Sequence, residues 1–213
     1  MPCFNCSDAS ERAAGLREAA QAVRRGELVV LPTDTVYGVG ADAFSPTAVA
    51  RLLDAKGRGR NMPSPVLVGS PDDLDGLVDD LPEQARQLVD AFWPGGLTLV
   101  ARHKPSLAWD LGETGGTVAL RMPAHPIALD LLNETGPLAV SSANLTGQPS
   151  PQDCDAAHMM LGETVAVYLD GGPTPADVPS SIVDITATAP VLLRAGAISA
   201  EELRKVAPGL QEG

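Results

Sequence analysis

The chain has 213 residues, 44 % apolar but only 3 % aromatic, so it can bury one sizeable core of aliphatic side chains and is not a disordered segment. Its 15 basic and 27 acidic residues give a net charge of −12, which argues against tight non-specific nucleic-acid binding and leaves at most weak RNA binding by this chain alone. No stretch approaches the roughly 18 apolar residues of a membrane span, Met1–Gly15 lacks a signal-like apolar region, and three uneven cysteines make no disulfide scaffold. The sequence therefore reads as cytoplasmic, with no membrane partner.

Residues 1–7 read as a flexible tail. It carries Cys3-x-x-Cys6, whose zinc or redox reading would need Cys154 and His158, distant and on a predicted helix. Asp8 and Glu11 form a capping-box pattern that starts a helix, with Leu16, Ala20 and Val23 on one face and Gly26 as its stop. Glu27–Leu31 is an aliphatic strand running into a turn-rich segment, Pro32–Gly40. Ser45-Pro46 opens a second helix, ending near Lys56-Gly57, with Val49, Leu52 and Leu53 inward.

Val66–Val68 reads as a short strand, Ser70-Pro71 opens a helix, and Pro82–Phe92 makes another. Leu97–Arg102 and Thr117–Arg121 read as strands, Pro126–Asn133 as a helix, Leu138–Ser141 as a strand and Pro151–Leu161 as a helix. Three strands follow, Val165–Asp170, Ser181–Ile185 and Val191–Arg194, and Ser199 with Glu202 caps a last helix. The alternation predicts one α/β domain across residues 1–213, and the helix-poor stretch Leu97–Arg121 predicts a mixed sheet. Gly171–Ser180 is the longest turn-rich stretch, either an ordered Pro-rich loop or a mobile lid.

Several common site chemistries are missing. There is no G-x-x-x-x-G-K-[ST], no H-E-x-x-H and no G-x-S-x-G. Gly38–Ala43 imitates a dinucleotide fingerprint, but Asp34 and Thr35 interrupt the strand before it and the next helix starts only at Pro46.

Four polar segments sit where apolar elements end. Pro32–Gly38 follows a buried strand, the end of an open α/β sheet at which ligands bind. In Lys56-Gly57-Arg58-Gly59-Arg60 the cations also suit a helix C-terminus, but the interleaved glycines let backbone and charge converge on an anion. Ser141-Ser142-Ala143-Asn144 offers short hydroxyl and amide groups after a strand. Ser180-Ser181 and Arg194 complete the set, giving several anion-competent strand ends in an acidic chain without a P-loop.

PTDTVYGVG at Pro32–Gly40, Lys56-x-Arg58, Phe92-Trp93-Pro94-Gly95, Arg121-Met122-Pro123 and Ser142-x-Asn144 stand in the order found in the YrdC-like family, which the chain resembles from about Leu16 to Val206. The resemblance implies a twisted α/β sheet with a large concave cleft, in the family's short single-domain form. It implies synthesis of L-threonylcarbamoyl-AMP and pyrophosphate from L-threonine, bicarbonate and ATP, for threonylcarbamoyl modification of tRNA. Carried over by residue, it places Thr35, Arg121, Ser142 and Ser180 around threonine. It places Lys56, Arg58, Thr117, Asn144, Gln152 and Arg194 around ATP, with Lys56 and Arg58 in the catalytic role. Mg2+ is expected with ATP, no protein metal ligands are expected, and a separate tRNA threonylcarbamoyl transferase is expected to take the product.

The chain departs from the family pattern at Gly59, Met62 and Leu67, where relatives carry Pro, Lys and His, and at Pro179 and Ala195. Two alternatives stand beside this reading. One is an RNA-binding or ribosome-maturation protein, disfavoured by charge and by the scarcity of aromatics for base stacking. The other is the carbamoyl-transfer domain of hydrogenase-maturation proteins, whose acylphosphatase and zinc-finger segments are absent from this sequence.

Overall fold

The computed structural model describes residues 2–175 and 178–213. Its elements in chain order begin with β1 (Cys3–Asn5), α1 (Ala9–Arg24), β2 (Val29–Leu31), β3 (Gly38–Asp42), α2 (Pro46–Lys56) and β4 (Val66–Leu67). Next come α3 (Asp73–Leu77), α4 (Glu83–Phe92), β5 (Leu97–Arg102), β6 (Thr117–Arg121), α5 (Pro126–Thr135), β7 (Leu138–Ser142) and α6 (Cys154–Leu161). A 3-10 turn (Gly162–Thr164), β8 (Val167–Asp170), β9 (Ser181–Asp184), β10 (Val191–Arg194), α7 (Ala200–Val206) and β11 (Gln211–Glu212) complete the chain.

The strands form one mixed sheet in the order β1-β8-β2-β3-β7-β4-β6-β5-β9-β10-β11. Alternate side chains of a strand face opposite sides, and the packing follows that rule. Val29, Leu31, Leu138, Val140, Val167 and Leu169 pack with apolar residues of α1 and α5. Their neighbours Val30, Ala139 and Tyr168 join a second core with residues of α2, α4, α6 and α7. One sheet thus separates two apolar layers, the α/β arrangement expected from the alternating pattern.

Local signals set the helix ends. Asp8 accepts from the Ser10 and Glu11 N–H groups, but Glu11 turns back to the Asn5 N–H, so the expected capping box is not reciprocal. At α7 it is reciprocal, with Ser199 and Glu202 bonding each other's backbone N–H. Gly57 ends α2 at φ 62°, a left-handed conformation that favours glycine. The Trp93–Pro94 peptide bond is cis.

Two sequence expectations need correction. Residues 1–7 are not a free tail: Cys3, Phe4 and Asn5 pair in parallel with Tyr168, Leu169 and Asp170. The turn-rich reading of Pro32–Gly40 also ran too far, because Gly38–Asp42 is a central strand antiparallel to β2 and β7. Gly38 stands there because a Cβ at that position would lie 2.6 Å from a Val140 methyl. Of the loop Gly171–Ser180, residues 176 and 177 lie outside the described residues, while Thr174 is fixed by donating its N–H to the Gln152 carbonyl at 2.7 Å.

Candidate active site

A cleft of about 280 Å³ opens over the middle of the sheet. Its walls come from a consecutive run of strands: Gly38 of β3, Val140, Ser141 and Ser142 of β7, Leu67 of β4, Arg121 of β6, Thr98 of β5, Ser180 just before β9, and Arg194 of β10. Thr33 and Thr35, from the β2–β3 loop, and Arg58, just past α2, close its sides. Every charged residue lining it is an arginine, so an acidic chain presents a locally cationic cavity.

Arg121 ends β6 almost fully buried. Its Nη2 donates to Asp34 Oδ1 at 2.6 Å, Nη1 to Thr35 Oγ1 at 2.9 Å and Nε to the Gly95 carbonyl at 2.9 Å. One N–H on each terminal nitrogen is left over, since a guanidinium has five donors. Asp34 is itself oriented by the Ala124 N–H. Burial pushes the Arg121 guanidinium down from its ordinary value, and the Asp34 carboxylate opposes that shift. Thr33 Oγ1 fixes the loop beneath by donating to the Val36 carbonyl at 2.7 Å and accepting from the Thr35 and Val36 N–H groups.

On another side, Ser180 Oγ lies 2.7 Å from Thr98 Oγ1, and Arg194 donates from Nε and Nη2 to the Ser180 carbonyl. The return of the chain past this point depends on Gly196, where a Cβ would fall 2.3 Å from the Pro179 carbonyl oxygen. A third group joins α2 to the loop after β7. Arg58 donates from Nη1 to Ser141 Oγ at 3.0 Å and from Nε to Thr146 Oγ1 at 3.1 Å. Burial pushes Arg58 and Arg194 down as well, yet neither has a carboxylate partner among the described residues.

Six residues expected at the site line this cavity: Thr35, Arg58, Arg121, Ser142, Ser180 and Arg194. Lys56 does not. It is buried beneath the wall, and its Nζ donates to the Ser142 carbonyl, the Asn144 carbonyl and Asn144 Oδ1. Its three ammonium protons are thus taken by protein oxygens, and Lys56 holds the Ser142–Asn144 turn rather than facing the cavity. Burial, aided by the Arg58 charge, pushes Lys56 down to about 7, while the three oxygens favour its protonated form.

Asn144 is a second inward brace, its Nδ2 donating to the Leu145 and Gln148 carbonyls. Thr117, at the start of β6, donates to the Thr114 carbonyl away from the cavity, and the Gln152 side chain is exposed. Ser141, from the polar segment Ser141–Asn144, lines the cavity as well, whereas sequence reasoning assigned no individual role to Asp34, Thr33, Thr98 or Ser150. Asp34 and Thr33 sit inside the PTDT motif, a signal for their place; Thr98 and Ser150 carried none.

The profile named Sua5/YciO/YrdC and described as "Telomere recombination" matches residues 21–196. The chain belongs to that family. A Mycobacterium tuberculosis protein named "Putative threonylcarbamoyl-AMP synthase" is 55 % identical over 203 residues, covering 95 % of this chain and 94 % of the relative. The threonylcarbamoyl-AMP synthase of Bacillus subtilis is 42 % identical over 90 % of this chain and 56 % of its own. Pyrococcus abyssi Sua5, solved in complex with L-threonine, superposes with a TM-score of 0.89 at 39 % identity, over 93 % of this chain and 58 % of that one. The chain thus spans nearly all of the mycobacterial relative but little more than half of the other two. Among the described residues, no helix is long and apolar enough to cross a membrane.

Proposed function

We propose that this protein is a threonylcarbamoyl-AMP synthase, a nucleotidyltransferase acting for tRNA modification. The observation that carries the reading is the hydroxyl-lined cavity whose charged residues are all arginines, in a chain 55 % identical to a relative of that name along nearly its whole length. The substrates are L-threonine, bicarbonate and ATP. The threonine amine takes up CO2 from bicarbonate to give a carbamate, and a carbamate oxygen attacks the α-phosphorus of ATP as pyrophosphate leaves. No protein nucleophile is needed, so positioning and charge neutralisation are what the cavity must supply.

In this reading the free N–H groups of Arg121 bind the threonine carboxylate, beside Thr35, Ser142 and Ser180. Arg58 and Arg194 face the nucleotide phosphates, where charge-assisted hydrogen bonds are strongest. Lys56 and Asn144 act from below, by holding the Ser142–Asn144 turn. The described residues contain no group of three His, Cys, Asp or Glu side chains suited to a metal. The arginine lining is equally unsuited to a bare cation, so a Mg2+ ion entering with ATP would be held by the nucleotide and not by side chains of this cavity. Its charge there would offset that of the pyrophosphate.

The product is an activated mixed anhydride, and a separate transferase would deliver it to tRNA. Steady-state release of pyrophosphate from ATP tests the reading. It should require both threonine and bicarbonate, and release that is indifferent to either would overturn the assignment.

A further inference from the structure

Cys3 and Cys154 are 151 residues apart, yet their sulfurs lie 3.6 Å from each other. The fold brings this about through β8. Cys3 pairs across from Tyr168 on one side of that strand, and α6, which begins at Cys154, packs over it with His158 edge-on to Tyr168 at 4.8 Å. Cys3 is exposed and Cys154 is buried.

The same geometry separates Cys3 from Cys6, its partner in the sequence motif. A strand advances about 3.3 Å per residue with alternating faces, so the two Cα atoms stand roughly 10 Å apart, beyond the ~7 Å that a disulfide spans. Their surroundings agree: Cys6 packs in the core of α1 and α5, and Cys154 packs in the core on the opposite face.

We propose that Cys3 and Cys154 form a reversible disulfide that fastens β1 to α6 when the protein meets a hydroperoxide. The Cys3 thiolate attacks one peroxide oxygen, the O–O bond breaks, and Cys3 becomes a sulfenic acid as the other oxygen leaves as hydroxide. Cys154 sulfur then attacks Cys3 sulfur and the sulfenic oxygen departs as water. In sum, two thiols and hydrogen peroxide give one disulfide and two waters, the two electrons passing from sulfur to oxygen. A dithiol reverses the link by exchange.

The roles of the two cysteines follow from access. Burial raises the Cys3 thiol, as do Asp170, Asp155 and Glu11, while its contact with Cys154 lowers it. Burial raises Cys154 much further. Cys3 is therefore the first nucleophile, and the reaction quickens as pH rises. The consequence is mechanical: β1 is a three-residue edge strand, the kind of element that frays first, and the link ties it across a long loop.

The test treats the whole chain with hydrogen peroxide at pH about 8, where more thiolate is present, and maps its peptides by mass spectrometry without reduction. The expected product is a monomer with a Cys3–Cys154 cross-linked peptide, removed by dithiothreitol. Its melting temperature should lie several degrees above that of the reduced chain. Cys3→Ser, at an exposed site that leaves the fold intact, should lose both the link and the gain, and Cys154→Ala should lose the link. A Cys3–Cys6 link, a dimer joined through Cys3, over-oxidised Cys3 beside an unreacted Cys154, or the right link without a melting gain would each overturn the proposal.

Discussion

Arg121 and Arg58 face one cavity but hold their charges differently. Arg121 is almost fully buried and its charge is met at once by Asp34. Arg58, like Arg194, gives its N–H groups to neutral oxygens only. An ion pair locked inside the protein fixes geometry, and its outward field is largely cancelled. A cation whose partners are hydroxyls and carbonyls keeps its field for whatever enters the cavity. Shape and charge are thus divided between separate arginines.

The largest effect that tests this division is on stability. Arg121→Ala leaves the mostly buried Asp34 carboxylate unmatched, and breaking such a pair should cost about 3 kcal/mol or more. Asp34→Asn, which keeps the shape but drops the counter-charge, should also be destabilising. Urea unfolding of both variants checks this, and an Arg121→Ala protein as stable as wild type would dissolve the distinction.

Arg58→Ala should do the reverse. Loss of a charge-assisted hydrogen bond worth about 1.5–3 kcal/mol in the transition state lowers kcat/KM roughly ten- to a hundredfold, with little change in melting. Arg58→Lys should restore only part of the activity, because a point charge does not reproduce the fork. If Arg58→Ala melts several degrees lower yet turns over normally, its role is at the end of α2.

A smaller effect sharpens the chemistry at the Arg121 end. The hydroxyls of Thr35, Ser142 and Ser180 surround the proposed threonine site, so 2-aminobutyrate should release pyrophosphate at least about tenfold less efficiently than threonine. Equal efficiency would mean that the side-chain hydroxyl is not read.

The smallest effect concerns pH and Lys56. Its folded value is lowered to about 7 from 10.5, so between those values the unfolded chain binds the extra proton. Stability contributed by this site should then rise with pH across that window. The slope should be shallow, because three oxygens around Nζ favour the ammonium. Comparing the melting of wild type and Lys56→Met from neutral to alkaline pH isolates it, and parallel curves would remove Lys56 as the source.

Most elements were legible because their signals are local. Leu97–Arg102 and Thr117–Arg121 form strands over the expected residues, since aliphatic runs that start directly after a pair of glycines leave few alternatives. β1 and β11 were not legible: three residues and two residues carry no periodicity, and only pairing with β8 and β10 makes them strands. β3 was masked by Gly38 and Gly40, which read as turn formers but are there to clear Val140.

At the site, hydroxyl and arginine positions were readable from strand ends, but the direction of a side chain was not. Lys56 and Arg58 look equivalent in K-x-R, yet the left-handed turn at Gly57 leaves Lys56 on the helix facing inward and carries Arg58 to the cavity. Thr98 was hidden because nothing local marks it; it counts only through Ser180, 82 residues away.

The lacing between α2 and the loop after β7 has a thermodynamic consequence. Lys56 bonds the backbone of Ser142 and Asn144, Thr146 bonds back to the Lys56 carbonyl, and Arg58 reaches both Ser141 and Thr146. A ligand that reorients Arg58 therefore disturbs the turn that presents Ser142, and a ligand held at Ser142 biases Arg58 in return. Linkage requires the two influences to be equal in free energy, so nucleotide and amino acid should alter each other's affinity by one common factor. In this fold, cooperation between substrates needs no moving domain, only a helix end and a turn tied by a few hydrogen bonds.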